Sequence, residues 1–319
     1  MITKELFHQG DDLKNKIISI VTTAYRTDKY IDAYFKYVSK INNLDDVRII
    51  LVVNSPSEYE MDAIEKFDYS HPDVLELITV PDRESIAASL NRGLLRCKTD
   101  YIAFLDIDDV RIPDSLSNQL NTLIQYPSIE FTYGDIIVVR SQGDTTGKLS
   151  VVPEFDSWEF TRGCYASPTQ FFRSGLIEKC GMFDEQLKSG GDFDFQVRAA
   201  ANCVFKKTCN AVLYYTKYPG SRSASSGHIQ PLERTVVELR YGIYDKIDER
   251  YIDEAMERYR VYELYYSNGW HHVSEVVPGY HSFMLCREEL KAIGKINNRH
   301  RKMQRRINRV KKVVKQFIK

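Results

Sequence analysis

Short apolar runs alternate with helical patterning over the first 140 residues. Ile17-Ile-Ser-Ile-Val-Thr-Thr23 and Val47-Arg-Ile-Ile-Leu-Val-Val53 are β-branched and nearly continuous, the pattern of strands covered on both faces. Between them Tyr30, Ile31, Tyr34, Phe35, Val38 and Ile41 recur at three- and four-residue intervals, which predicts a helix and hence a β-α-β unit with parallel strands. Leu75 to Val80 predicts a third strand, Ser85 to Cys97 a second amphipathic helix, Tyr101 to Leu105 a fourth strand, and Pro113 to Tyr126 a further helix. Alternation of this kind builds an open α/β sheet with helices on both faces, and ligands bind beyond the carboxyl ends of its strands.

Three loops leave those carboxyl ends: Thr23-Ala-Tyr25, Asn54-Ser-Pro-Ser57 and the acidic turn Asp106-Ile-Asp-Asp109. Three carboxylates with only Ile107 between them repel one another at the end of a buried strand, and a hard divalent cation with oxygen ligands offsets that repulsion. A helix cap needs one carboxylate rather than three.

After Phe131 to Val139 the pattern changes to a polar hairpin over Ser141 to Lys148. A Ser/Thr/Pro/aromatic stretch follows, and then Gly181-Met-Phe-Asp-Glu-Gln-Leu-Lys-Ser-Gly-Gly-Asp-Phe-Asp194. A helix is expected to begin at Asp192, with that residue as its cap. Val204 to Tyr215 predicts a last strand, and Gly220 to Gly227 a small-residue loop of the kind that closes over an anion. Beyond Gln230 the pattern reads as helical, with tyrosine-rich segments at Arg240 to Tyr251 and Ala255 to Tyr266. The expected organisation is one domain over residues 1–228, a helical extension over 229–290 and a basic tail helix over 291–319.

Composition changes this picture in two places. Lys and Arg together number 44, as do Asp and Glu, yet every charged residue from Lys291 to Lys319 is basic, so the body carries a compensating acidic excess. In that tail Met303, Ile307, Val310, Val314 and Phe317 recur at alternating four and three residues among Arg301, Lys302, Arg305, Arg306, Arg309, Lys311, Lys312 and Lys315. Such a cationic amphipathic helix is expected at an anionic membrane surface; a coiled-coil homodimer seam, a nucleic-acid patch and docking on the acidic body are the competing readings, with no support for sequence-specific nucleic-acid binding. Six cysteines are scattered without paired spacing, as in reduced thiols, and no N-terminal apolar segment is long enough to span a bilayer, so the expected location is the cytoplasm at the inner face of the membrane.

Taken in order, Ile20-Val-Thr-Thr-Ala-Tyr25, the turn at Asn54 to Ser57, Ala88-Ser-Leu-Asn-Arg-Gly93, Phe104-Leu-Asp-Ile-Asp-Asp109, and Gly181-Met-Phe-Asp-Glu185 running into Gly191-Asp192 resemble the family 2 inverting glycosyltransferases of GT-A fold over about residues 16–225. The resemblance implies a Rossmann-like, mostly parallel sheet flanked by helices, with an α-helical C-terminal extension. It also implies a nucleotide-sugar donor, Mn2+ or Mg2+ as cofactor, and a glycan or lipid-linked acceptor. Carried over residue by residue, Asp106 would contact ribose or base, Asp108 would hold the metal with Asp106 and Ile107 beside it, and Asp192 would take the acceptor proton. Thr23 and Tyr25 would line the nucleotide site, with Tyr25 equally readable as core. His228 would offer a third metal ligand and Arg222 a phosphate clamp.

This chain departs from the family pattern at several positions. Asn54-Ser55 replaces an aspartate pair, Gly191 a glutamate, and Leu90-Asn91 an Arg-Asn. Asn54 still offers donor and acceptor to a base edge, Asn91 remains at the ligand, and Arg83 or Arg92 would supply the positive contact. The Gln-x-x-Arg-Trp motif of processive synthases is absent, which favours transfer of a single sugar. Trp270, His271 and His272, near Tyr265, Tyr266 and Tyr280, read as packing or as acceptor-sugar stacking. The rival functional readings are a catalytically silent scaffold of the same fold and a sugar nucleotidyltransferase, the latter lacking its glycine-rich basic loop.

Overall fold

The computed structural model describes residues 16–218, 227–281 and 285–317. The chain opens with β1 (Ile18–Ala24), α1 (Ile31–Val38), β2 (Val47–Asn54), α2 (Glu58–Ser70), β3 (Leu75–Val80), α3 (Ile86–Leu94) and β4 (Tyr101–Phe104). These strands pair in parallel in the order β3-β2-β1-β4, with Ile18 opposite both Val47 and Tyr101. Alternate residues explain the continuous apolar runs. Ile18, Ile20, Ile49, Leu51 and Val53 join one core on one face of the sheet, while Val21 and Ile50 join a second core on the other. Helix α3 lies close on β1, because a Cβ at Gly93 would fall 2.4 Å from Val21 Cγ1.

The second half of the sheet is mixed. It contains β5 (Val110–Arg111), α4 (Ser115–Gln125), β6 (Phe131–Val139), β7 (Lys148–Ser150), α5 (Ser157–Phe160), β8 (Phe171–Arg173), α6 (Leu176–Cys180), α7 (Gly191–Asn202) and β9 (Phe205–Thr216). The order continues β4-β8-β6-β9-β5, with β7 on the edge of β6. Here β8 is antiparallel to β4 and β6, while β6 and β9 are parallel. Strands β1, β4, β6 and β9 therefore all point the same way, and the parallel order expected from the sequence holds in the N-terminal half.

The C-terminal part contains α8 (Ile229–Arg240), α9 (Ile252–Arg258), the hairpin β10 (Glu263–Tyr266) and β11 (Gly269–His272), and the long α10 (Arg287–Phe317). The expected all-helical extension is thus interrupted by a hairpin in which Tyr266 stacks on His271 at 4.0 Å and Tyr265 meets Trp270 at 4.9 Å. Arg240 to Tyr251 is mostly irregular rather than helical. Helix α2 had no clear sequence signal, since only Glu60, Ile64 and Phe67 are buried along its 13 residues.

A buried ion network joins this extension to the sheet. Arg240, fully buried on α8, donates to Asp184 Oδ2 and Asp194 Oδ1, each at 2.7 Å, and to the Val261 carbonyl at 3.0 Å. Arg198 donates to Asp194 Oδ2 through Nε at 3.0 Å and Nη2 at 2.9 Å, and the Tyr241 hydroxyl adds a bond at 2.9 Å. Burial pushes the Asp194 carboxyl up, but Arg198 and Arg240 outweigh it and hold the group below its ordinary value. Replacing Arg240 by Leu removes the ion-pair partner of buried Asp184 and one of the two on Asp194, and the expected loss is about 3–5 kcal/mol in urea unfolding; a loss under about 1 kcal/mol would show that the network does not hold the halves together.

Candidate active site

Topology gathers the site before any side chain does. Because β1, β4, β6 and β9 are co-directional, Tyr25, the acidic turn, Arg140 and Thr216 all leave one edge of the sheet. Strand β8 enters antiparallel from that same edge, with Phe171 opposite Ala103, so the segment that precedes it, Cys164 to Gln170, lies beside the acidic turn.

The turn itself is clamped. Thr216, the last residue of β9, donates its N–H to Asp109 Oδ1 at 2.7 Å and its hydroxyl to the Asp108 carbonyl at 2.6 Å, while Gln142 Nε2 donates to the Ile107 carbonyl at 2.9 Å. Asp106 is exposed, Asp108 half-buried and Asp109 buried. Burial, then the charges of Asp106 and Asp108, push the Asp109 carboxyl well above its ordinary value, against the pull of the Thr216 N–H. Its Oδ2 is buried without a hydrogen-bond partner. A crowded carboxylate set with an unsatisfied oxygen suits a hard divalent cation. Among the described residues no three His, Cys, Asp or Glu side chains converge as a protein-only cage, so such a cation would draw its other ligands from a bound anion and water.

On the β1–β3 side, Arg83 lies over the Tyr25 ring at 4.5 Å and Arg26 at 5.2 Å, so two of the expected nucleotide contacts, Tyr25 and Arg83, meet. Arg92 is instead tied to both oxygens of Glu84 at 2.8 Å. The loop that carries Tyr25 is latched by Glu60, a fully buried carboxylate that accepts from the Thr27 N–H and hydroxyl and from the Ser57 N–H. Thr23 is half-buried at the end of β1.

Asn54 and Asn91 serve as clips. Asn54, 3% exposed, donates to Ser89 Oγ and accepts from the Glu84 N–H, both at 2.9 Å. Asn91 exchanges bonds with the Phe183 N–H and carbonyl at 2.9 and 2.8 Å and reaches Glu185 Oε1 at 2.9 Å. Both amides bond to neighbouring loops, so they shape the cleft through those loops.

Asp192 lies within the first turn of α7, which starts at Gly191 with Gly190 as its cap, so the helix begins one residue, and its cap lies two residues, before the position expected from Asp192. Its Oδ1 accepts from the Phe193 N–H at 2.8 Å, its Oδ2 from Cys164 Sγ at 3.7 Å, and Ser167 adds a hydroxyl bond. Burial raises its carboxyl above the ordinary value despite those donors. Cys164 and Ser167 carried no signal in the sequence, because their approach to Asp192 depends on how the chain enters β8. Glu233, also unforeseen, collects the N–H groups of Lys188, Ser189 and Gly190 at 2.7–2.8 Å and fixes the turn before α7. Asp194, two residues beyond Asp192, is buried between two arginines and so is unsuited to accept a proton. His228 is exposed immediately before α8, and Arg222 lies outside the described residues.

The family described as Glycosyl transferase family 2 matches residues 19–174. The O-antigen biosynthesis glycosyltransferase WbnJ of Escherichia coli is 24% identical over 199 residues, which cover 59% of this chain and 73% of that protein. An uncharacterized glycosyltransferase of Methanocaldococcus jannaschii is 22% identical over 198 residues, 60% of this chain and 67% of that one. The fold is similar to the crystal structure of S. aureus TarS 1–349 in complex with UDP-GlcNAc, with a TM-score of 0.59 and 19% identity over 76% of this chain and 72% of that one.

Replacing Glu60 by Ala leaves the Thr27 N–H and hydroxyl without their buried partner, at an expected cost of about 1–3 kcal/mol in denaturant unfolding. A change within about 0.5 kcal/mol would show that another contact holds the Tyr25 loop.

Proposed function

We propose that the chain, whose residues 19–174 match glycosyl transferase family 2, moves one sugar, with inversion, from a UDP-sugar to a glycan or lipid-linked acceptor in cell-surface polysaccharide synthesis. The similarity to an O-antigen glycosyltransferase and to a fold seen with UDP-GlcNAc supports the donor and the pathway. The observation that carries the reading is a pair of unlike carboxylate environments at one sheet edge. In the acidic turn Asp109 is crowded by Asp106 and Asp108, and its Oδ2 is buried without a hydrogen-bond partner among the described residues. Asp192 stands apart, with neutral donors and a carboxyl raised by burial.

In this mechanism Tyr25 and Arg83 receive the nucleoside, the aromatic face against the base and the guanidinium near phosphate. Asp108 and Asp106 would hold Mn2+ or Mg2+, which when bound supplies neutralisation of charge on the leaving diphosphate. Asp192, oriented by Cys164, Ser167 and the Phe193 N–H, accepts the proton of the attacking acceptor hydroxyl.

Helix α10 supplies the means of finding a lipid-linked acceptor. Leu290 is buried against the body, while Ile296, Met303, Ile307 and Val310 are exposed along the helix among Lys and Arg. An apolar stripe rimmed by cations suits an anionic bilayer surface. No helix among the described residues is long and apolar enough to cross a membrane.

Replacing Asp108 by Asn is expected to abolish Mn2+-dependent UDP binding in calorimetry, whereas Asp192→Asn keeps binding and loses transfer by about 10²-fold or more. Equal loss of binding in both contradicts the division of roles. Because Asp192 acts ionised and burial lifts its pKa, the acid limb of kcat should lie above the ordinary carboxylate range of about 4; a flat profile from pH 4 to 7 removes it as base. Trimming residues 303–319 should reduce co-sedimentation with vesicles rich in phosphatidylglycerol, and undiminished recovery eliminates the membrane role of α10.

A further inference from the structure

A cavity of about 230 Å3 opens beside the acidic turn on its β6–β9 flank, away from Tyr25 and Arg83. Lys29 and Tyr30 at the start of α1, Arg140 and Gln142 beyond β6, and Thr216 and Tyr218 beyond β9 form its walls. We propose that this cavity is a phosphate-binding subsite for the acceptor, distinct from the place of the donor diphosphate.

The charge of the lining carries the argument. Among the described residues two cations and no carboxylate line the cavity, and neither Lys29 nor Arg140 forms an ion pair with any of them. Lys29 is held in place by two rings, 5.1 Å from the centroid of Tyr30 and 5.7 Å from that of Tyr218. The first turn of α1 also reaches the cavity through Ala33.

The surroundings give the cavity a fixed shape. The Tyr37 hydroxyl donates to the Gly143 carbonyl at 3.4 Å, pinning the β6–β7 hairpin to α1, and Gly143 takes a φ of 90° that other residues rarely adopt. Gln142 and Thr216, which line the cavity, are the two residues that clamp the acidic turn. Tyr218 bonds to Tyr30 and Asp108, so it links the cavity wall to that carboxylate. At about 30 Å3 per water, the volume holds several waters or one phosphate with part of the next group.

One flank of the acidic turn is thus fitted to a nucleoside and the other to an anion. The assignment to the acceptor rests on the transfer reading above, whereas anion binding itself does not. The acceptor class is one that carries phosphate near the reacting hydroxyl, either a lipid diphosphate or a phosphodiester, and free inorganic phosphate shares that chemistry.

Calorimetry on the full-length protein tests the site with inorganic phosphate and, separately, UDP with Mn2+. The double variant Lys29→Ala/Arg140→Ala should weaken phosphate by about tenfold or more while UDP affinity stays within about twofold, which also reports an intact fold. Absence of phosphate binding to the unaltered protein, or equal binding by the variant, overturns the proposal. A parallel fall in UDP affinity also overturns it, assigning both cations to the donor. Failure of the unaltered protein to bind UDP, with the phosphate difference retained, sinks the transfer reading and leaves the anion site standing. Farnesyl diphosphate separates the sources: tighter binding than inorganic phosphate, lost in the double variant, identifies an acceptor headgroup, whereas no gain over inorganic phosphate limits the site to the free anion and overturns the acceptor assignment.

Discussion

Arg240 is a guanidinium placed where no water reaches it, and the arrangement of the molecule follows from how that charge is met. Asp184 comes from the loop before α7, Asp194 from the helix itself, and the Val261 and Glu263 carbonyls from the extension. A buried cation tolerates no slack in its partners, because any displacement exposes a charge to a low-dielectric interior. The first turn of α7 is therefore held from three directions, and Asp192, two residues before Asp194, inherits that rigidity. The acidic turn is rigid for a different reason: Thr216 and Gln142 occupy its backbone and one oxygen of Asp109, with Asp106 exposed and Asp108 half-buried beside them.

Chemistry at this edge depends on charges kept apart. Negative charge is concentrated at the acidic turn, where burial and mutual repulsion raise Asp109. Positive charge is distributed on both flanks, at Arg83 over Tyr25 on one side and at Lys29 and Arg140 on the other. Asp192 faces neutral donors, so its proton affinity is set by burial rather than by a nearby cation. A carboxylate paired with arginine is too acidic to accept a proton, which is the physical reason Asp194, chemically identical, does not suit the role proposed for Asp192.

Much of this was legible in the residues. Apolar runs at Ile18–Ala24 and Val47–Asn54 can only be strands covered on both faces, and once those are parallel the loops after them share an edge. The acidic turn advertised itself by charge crowding. Other parts were hidden for specific reasons. Helix α2 buries a thin stripe, and its Glu60 reads as a solvated face until the β1–α1 loop is laid against it. Glu233 is disguised in the same way on α8. Asn54 and Asn91 look like ligand contacts because an amide both donates and accepts, and that versatility is what lets each tie two loops together. The hairpin at Glu263–His272 was masked by tyrosines spaced as on a helix.

The insertion of β8 between β4 and β6 has a consequence for biogenesis. One margin of β4 pairs early with β1, but the other waits for Phe171–Arg173, roughly 70 residues further along. At a synthesis rate of about 5–20 residues per second, a nascent chain would carry that open ladder for several seconds. Unpaired ladders invite association with other chains. Ribosome-bound intermediates of this protein therefore pass through an interval of heightened vulnerability, ended when a three-residue strand slots home.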